Sequence, residues 1–139
     1  MAAYSPQNVT VAVNGFPLSG FAPDTFVTVT QDSDDGTAVR GADGLMAYAI
    51  DKALPQVTMT FQLMQTSNGN DIMFQLLAAQ KATALPLTAA LAVAGSLESV
   101  AWASCIIQKA PDISLSQGIE SREWTIIGQA IMRPGGSVL

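Results

Sequence analysis

The chain has 139 residues, of which 49% are apolar and 12% charged, and six basic residues stand against eleven acidic ones. A chain of this length forms one domain, 1–139, around a single core. The scattered Lys and Arg residues and the net charge of -5 exclude ordinary phosphate-backbone binding, which needs clustered cations. The charged fraction is half the roughly 25% usual in soluble domains, which predicts a surface that is either unusually uncharged or partly covered, as in an oligomer.

The first strands are predicted from alternation and turn chemistry. Residues 8–14 alternate valine with smaller or polar side chains, the pattern of a half-buried strand. Asn14-Gly15 favours a two-residue hairpin turn, so a second short strand is expected over 16–21.

Residues 25–50 are predicted to form one long hairpin with an irregular arm. Alternation over 25–31 indicates a strand, an acidic stretch follows at 32–37, and the turn Gly41-Ala42-Asp43-Gly44 separates two further strand-like runs. Within the domain, we assign 1–8 to an N-terminal arm and 31–45 to a hairpin arm.

A central strand and one helix follow. Val57, Met59, Phe61 and Leu63 alternate with polar residues over 57–64. A broad apolar stripe predicts a helix over 72–82. Asn70 or Asp71 is a plausible N-cap, so the helical region is assigned to 71–82.

The rest of the chain predicts three more strands. Residues 87–94 fit a strand or a second helix, with strand preferred, and 99–109 and 122–132 are clear strands. The fold class is mainly β: an antiparallel barrel or sandwich with one flanking helix. The longest apolar region, 78–94, is interrupted by polar residues and Pro86, so no membrane span is expected.

Nothing in the sequence predicts an enzyme or a cofactor. The chain has no histidine, which removes Ser-His-Asp and Cys-His activation and most zinc sites. Cys105 is expected to be a small buried hydrophobe. The acidic stretch 32–37 partly matches the start of a calcium loop but has no closing Glu, so we interpret it as solvated. Glu120 and Arg122 share one strand face and suggest a structural ion pair.

Several motifs, in shared order and spacing, resemble the tail tube proteins of contractile-tailed bacteriophages. A Tyr-Ser-x-x-x-Val-x-Val pattern begins at Tyr4. It is followed by Ser19-Gly20-Phe21-Ala22, Gly41-Ala42-Asp43-Gly44, a Thr-x-x-x-x-Gln-Thr-Ser-x-x-Asn-Asp pattern from Thr60 to Asp71, Gln108-Lys109-x-Pro111 and Glu120-Ser121-Arg122-Glu123-Trp124. The chain departs from the family at Met46-Ala47-Tyr48-Ala49, where similar chains tend to carry more charge.

The resemblance implies a small antiparallel barrel that assembles edge to edge into hexameric rings. Stacked rings would form a hollow tube inside a contractile sheath, in a virion tail assembled in the host cytoplasm. The implied partners are further copies of the chain, the tail sheath, baseplate and tail-terminator proteins, and the tape measure protein. Genomic DNA would pass through the lumen without sequence-specific binding.

Two sets of residues are predicted to serve this assembly. Asp34, Asp51 and Glu120 are lumen candidates, chosen from acidic charge on strands or strand ends. By family analogy, the loop 32–37 and the N-terminal arm contact the adjacent ring, and the helix lies outside the lumen. The ring-interface candidates are Tyr4, Asp32, Asp35, Arg40, Asp43, Arg122 and Glu123.

Two alternatives remain open. The inner tube of a type VI secretion system or of a phage-derived bacteriocin would be built on the same fold, and neighbouring genes would distinguish them. A ligand-binding β-sandwich is a different class, and it usually exposes an aromatic platform. Trp102 and Trp124 both lie on apolar strands, which disfavours that class.

Overall fold

Seven strands form one antiparallel sheet, and two more form a separate hairpin. The computed structural model describes residues 9–23, 25–93 and 98–133, and the helix and strands belong to that part of the chain. The helix α1 (Gly69–Thr83) follows the sixth strand. The strands are β1 (Val9–Val13), β2 (Phe16–Pro17), β3 (Val27–Gln31), β4 (Gly36–Arg40), β5 (Met46–Ile50), β6 (Gln56–Met64), β7 (Leu87–Val93), β8 (Ser99–Lys109) and β9 (Ser121–Arg133).

The large sheet has the strand order β2-β1-β7-β8-β9-β6-β3. Its edges, β2 and β3, do not pair with each other among the described residues, so the sheet is sandwich-like and open. A cleft of about 570 Å³ remains between β1 and β3, and Val9, Val27 and Leu91 are among its lining residues. The predicted mainly β fold with one flanking helix is confirmed in its sandwich form.

The predicted single hairpin over 25–50 is wrong, because β3 pairs with β6 and not with β4. In this register Val27 lies opposite Phe61, and Val29 lies opposite Met59. The half-buried valines of β3 need a neighbour that faces the core, and β6 offers one, whereas β4 is exposed along its whole length. The chain leaves the sheet after β3, forms β4 and β5, and returns as β6.

Most other strand predictions are confirmed, with changes of extent. Asn14 and Gly15 have φ angles of 53° and 84°, as a two-residue hairpin turn requires. The strand that follows this turn is only two residues long. The ambiguous segment 87–94 contains the strand β7, and β8 spans the predicted residues.

The core lies on one face of the large sheet. The alternate residues of β6 that were predicted to point inward are all fully buried. Trp102 and Trp124 are also buried, and the Trp102 indole donates to the Val57 carbonyl at 3.1 Å. The largest fully buried side chains are those of Trp102, Trp124, Phe61, Met59, Leu63, Met73, Ile126, Val11, Val13 and Val57.

The strands β8 and β9 approach each other unusually closely at Gly128. Their register shifts between Trp102 and Ser104, which marks a β-bulge and a local bend. A Cβ added at Gly128 would lie 2.3 Å from the Ser104 carbonyl oxygen and 2.6 Å from the Cys105 Cα. The absence of a side chain at Gly128 therefore permits this backbone contact.

The helix begins earlier than predicted and is not capped as predicted. The residue at the N-cap is Asn68, whose side chain makes no capping bond. Asn70 lies in the first turn and is buried, because its side chain connects other elements. Its Oδ1 accepts from the Trp124 indole at 3.0 Å, and its Nδ2 donates to the Met64 carbonyl at 2.9 Å. The prediction that Asn70 or Asp71 caps the helix is therefore wrong.

The helix packs against the core side of the sheet. Phe74 meets Trp124 edge to face, with ring centroids 4.9 Å apart. The Gln80 side chain pairs with the Ile107 backbone: its Oε1 accepts the amide at 2.8 Å, and its Nε2 donates to the carbonyl at 3.2 Å. Among the described residues, no helix combines the length and apolar character needed to cross a membrane.

We predict that Gly128→Ala lowers the free energy of unfolding by about 3 kcal/mol, because two strand backbones would have to move apart. Gly118→Ala is the matched control, since its added methyl would be 3.9 Å from the nearest atom, Ser116 Oγ. The control should change stability by less than about 0.5 kcal/mol. Urea unfolding followed by circular dichroism measures both values, and equal midpoints would contradict the close approach.

We predict that Asn70→Ala lowers the free energy of unfolding by about 2–3 kcal/mol, because it leaves the buried Trp124 indole and Met64 carbonyl without these partners. Asn68→Ala tests the same substitution two residues away, where the side chain makes no capping bond. It should be nearly neutral, within about 0.5 kcal/mol. Thermal unfolding compares the two variants, and an equal loss in both would show that Asn70 has no special role.

Candidate assembly surfaces

The β4–β5 hairpin, called the arm below, stands apart from the large sheet. Every residue of both strands is exposed. Exposure reaches 66% for Val39, 72% for Tyr48 and 79% for Ile50. An isolated two-stranded hairpin is at best marginally stable in water, and exposed apolar patches commonly mark interaction sites. The arm therefore has the character of a surface that needs a partner.

The two faces of the arm differ. Cross-strand pairs place Arg40 and Met46 opposite each other, with Tyr48 and Ile50 further along the same face. The other face carries Thr37, Val39 and two alanines. The first face thus combines one cation with three large apolar side chains, and we call it the Arg40 face.

The tip of the arm is held by its own hydrogen bonds. The Gly41 amide donates to the Leu45 carbonyl at 2.7 Å, and the Leu45 amide donates to Asp43 Oδ1 at 3.1 Å. Gly44 has a φ of 90°, which L side chains rarely adopt. The predicted turn at 41–44 is therefore present, and its hydrogen bonds and the positive φ of Gly44 account for the residues found there.

The base of the arm is fastened to the start of β6. The Asp32 carboxylate accepts from the Thr58 hydroxyl and, at 3.5 Å, from Gln56 Nε2. The Gln56 amide donates to Ser33 Oγ at 3.0 Å. These bonds fix the point at which the arm leaves the sheet.

The face of the large sheet opposite the core, called the outer face below, carries few charges. The helix and both tryptophans lie on the core side. Glu123 lies on the outer face, near the end of β6. Lys109, opposite Thr125, lies close to Glu123. Most other exposed or half-exposed positions are threonine, glutamine and isoleucine, namely Thr28, Thr30, Thr58, Thr60, Gln62, Thr125, Ile127, Gln129, Ile131 and Ile106.

At the far end of β6, polar side chains form a hydrogen-bonded junction. Gln65 Oε1 accepts from the Glu120 amide at 3.2 Å and from Arg122 Nη2 at 3.4 Å. Arg122 also donates to the Ser114 carbonyl at 3.1 Å, and the Glu120 carboxylate accepts from Ser116 Oγ at 2.6 Å. Glu120 and Arg122 are thus joined through Gln65 and not by the predicted direct ion pair.

Three of the sequence motifs meet at this junction. The Ser67 hydroxyl donates to the Ser19 carbonyl, and Gly20 has a φ of 76°, where an added Cβ would be 2.7 Å from Ser67. The Trp124 indole reaches Asn70 in the same region. The motifs starting at Ser19, Thr60 and Glu120 therefore describe one structural cluster.

The segment between β8 and β9, called the β8–β9 loop below, presents a second apolar surface. Ile113, Leu115 and Ile119 are 73%, 80% and 64% exposed. Beside them lies a recess of about 280 Å³, whose charged lining residues are Lys109, Asp112, Glu120 and Glu123.

Sequence analysis missed these three aliphatic side chains, because they follow neither the helical nor the strand period. The available signal was their occurrence in a segment rich in Pro, Ser and Gly, which cannot bury them within a regular element.

The three lumen candidates lie at opposite ends of β6. Asp51 is at the base of the arm, where its amide donates to the Asp35 carbonyl at 2.8 Å, and Asp34 adjoins it. Glu120 lies at the far junction, because Gln65 follows the last residue of β6. At about 3.3 Å per residue, the two ends of β6 are about 30 Å apart. The structure brings Asp34 and Asp51 together and separates them from Glu120.

The ring-interface candidates also divide between these two ends. Tyr4 and the rest of the N-terminal arm, 1–8, lie outside the described residues. Arg122 is only 8% exposed, and its guanidinium is used within the chain. The remaining candidates are exposed: Asp32, Asp35, Arg40 and Asp43 lie on the arm or at its base, and Glu123 lies at the other end.

The described side chains form no recognisable catalytic arrangement. Burial raises the pKa of the Cys105 thiol to about 11, which disfavours the thiolate that a nucleophile requires. Among the described residues, no group of three or more His, Cys, Asp or Glu side chains is placed to hold a metal ion.

Comparisons with known proteins locate the fold. No family model and no curated protein matches the sequence. Among solved structures, a chain of the sheath–tube complex of an extracellular contractile injection system (PVC, extended state) superposes with a TM-score of 0.59 at 12% identity, covering 94% of this chain and 91% of that one.

Two further structures match similarly. The tube-terminating cap of the anti-feeding prophage gives a TM-score of 0.57 at 11% identity, with 96% and 92% of the two chains covered. The PVC sheath/tube terminator gives 0.58 at 12% identity, with 96% and 98% covered. At the level of fold, the chain is therefore like components of contractile injection systems, in agreement with its sequence resemblance to tail tube proteins.

Proposed function

We propose that the chain is a non-enzymatic structural subunit of the inner tube of a contractile phage tail, and that its copies form hexameric rings stacked into a hollow conduit. The observation that carries this proposal is the arm, an apolar hairpin detached from the sheet of its own chain. A neighbouring copy would cover the arm and would also protect the free edges of the sheet. The likeness in fold to contractile injection systems supports the same role.

The lumen candidates suggest how the conduit runs relative to the subunit. A channel lined by Asp34, Asp51 and Glu120 has to follow β6 for about 30 Å. The outer face extends along this path, and its side chains are mostly uncharged. We therefore propose that the outer face, from the base of the arm to the edge of the recess beside the β8–β9 loop, is the wall of the lumen, with acidic groups at its two ends and the helix on the far side.

Such a wall suits the passage of DNA. Carboxylates repel phosphates within a screening length of about 8–10 Å, and the threonine and glutamine side chains of the wall carry no charge that would hold the backbone. Lys109, at the edge of the wall, shares a recess with three carboxylates. We propose that genomic DNA and the tape measure protein occupy this lumen without sequence-specific binding.

The proposed surroundings follow from the same role. The sheath would lie outside the tube, and baseplate and tail-terminator proteins would lie at its ends, in a tail assembled in the host cytoplasm. A second candidate function is to terminate the tube. It is favoured by the fold likeness to a tube-terminating cap and a terminator, which is as close as the likeness to the sheath–tube complex.

Negative-stain microscopy of the purified chain tests the role: tubes support the tube subunit, and single rings that never stack support the terminator.

We predict that Tyr48→Thr with Ile50→Thr raises the concentration needed for assembly at least about tenfold, because apolar area at the contact is lost. Folding should be unchanged, since both side chains are exposed.

Leu85→Thr is the matched control. Leu85 is a 63% exposed aliphatic residue just beyond α1, so this variant should assemble normally. A wild-type chain that stays monomeric at high concentration would contradict the proposed function. If the arm variant assembled as well as the wild type, the arm would not be a contact between copies.

A further inference from the structure

Arg40 is an exposed cation on the arm. It makes no hydrogen bond or ion pair within the described residues, and its side chain lies beside the turn at Gly44. Met46 and Tyr48, which share its face, are 46% and 72% exposed. The tip of the arm therefore carries one cation, Arg40, on an apolar face, and the Asp43 carboxylate lies in the adjoining turn, where it accepts from the Leu45 amide.

The opposite end of the molecule has complementary features. The 280 Å³ recess beside the β8–β9 loop contains the carboxylates of Asp112, Glu120 and Glu123 and one ammonium group, that of Lys109, so its net charge is negative. The Glu120 carboxylate accepts from Ser116, whereas no described side chain bonds to those of Asp112 and Glu123. Ile113, Leu115 and Ile119 of the same loop are exposed and are sequence neighbours of the lining residues Asp112, Ser114 and Glu120.

We propose that the Arg40 face of one copy docks on the recess and the β8–β9 loop of a second copy. Arg40 enters the recess and pairs with Glu123 and Asp112, while Met46 and Tyr48 pack on the aliphatic side chains of the loop. Charge complementarity, together with exposed apolar side chains on both surfaces, points to another copy of this chain as the occupant. This contact rests on the proposed assembly of like subunits and assigns the residues that form it.

The geometry makes the contact heterologous. The base of the arm adjoins the start of β6, and the recess lies at its end, about 30 Å away. The strands of the arm are themselves about 15 Å long. When two copies join through two different surfaces, one copy still has a free arm and the other still has a free recess. The same contact can therefore add further copies and build a ring or a filament.

Buried Arg122 is the positioning residue of this surface. It donates to the Ser114 carbonyl and shares Gln65 with the Glu120 amide, so it sets the course of the loop that flanks the recess. Arg122 therefore acts through the shape of the β8–β9 loop, whereas Arg40 and Glu123 make the contact itself.

Charge reversal tests the pairing. Arg40→Glu and Glu123→Arg should each raise the concentration at which rings or tubes form at least about tenfold, because like charges then face each other. The double variant R40E/E123R should restore assembly toward the wild-type concentration. Lys81→Glu makes the same charge change as R40E on the exposed end of α1 and should have no effect. Negative-stain microscopy and light scattering provide the measurement.

A cross-linking experiment examines the contact independently of tubes. Two differently tagged chains, each with Cys105→Ala, are mixed under mild oxidation. One chain carries Arg40→Cys, and the other carries Glu123→Cys. A disulfide-linked heterodimer is expected, and a Lys81→Cys chain should give none with Glu123→Cys.

Each outcome is decisive. Rings or tubes without the cross-link or the charge rescue would overturn the Arg40–Glu123 contact and leave the proposed function standing. The cross-link in a chain that never forms rings or tubes would support the contact and overturn the tube. Absence of both the cross-link and any assembly would overturn both.

Discussion

The hydrogen-bonded junction at the end of β6 is the constraint on which the rest of the structure depends. A buried guanidinium is costly unless its hydrogen bonds are satisfied, and Arg122 is satisfied by the Ser114 and Ser121 carbonyls and the Gln65 amide oxygen. Asn70, five residues after Gln65, accepts a hydrogen bond from the Trp124 indole. The junction thus fixes the start of the helix, the β8–β9 loop and the first residues of β9 at one place.

From this junction the strand pair β6–β9 extends to the base of the arm, where Asp32 and Gln56 fasten the hairpin. The subunit consequently has two different ends connected by a rigid, well-packed sheet. A direction is therefore built into each subunit, and it does not depend on any ligand. Such polarity suits a structure that must be attached at one end and closed at the other.

Strands whose side chains alternate between core and solvent were predictable, because alternation records burial directly. The runs that became β6, β8 and β9 are examples. The partner of β3 was not predictable, since it depends on which distant strand offers a buried face. Asn70 was misassigned for a similar reason: cap preferences describe local bonds, and a tertiary bond to Trp124 took their place.

The assembly surfaces were only partly accessible from sequence. Charged residues at the arm and the junction were selected by their charge, but burial of Arg122 and exposure of Tyr48 require the fold. The only sign of the apolar arm in the sequence was the uncharged run Met46–Ala49, at a place where similar chains tend to carry more charge. Gln65 and Asn70 lie within a motif that resembles tail tube proteins. The sequence did not show why these residues are needed there, whereas the structure shows that their side chains form hydrogen bonds between elements.

The burial of Cys105 has a consequence for the proposed assembly. Many copies held side by side would bring exposed thiols together and favour disulfides between subunits, which would trap errors of assembly. In this chain Cys105 is buried, and its Cα and Cβ lie against Gly128. Burial also raises the pKa of the thiol to about 11. In the proposed assembly, burial would therefore keep this thiol from forming disulfides between copies.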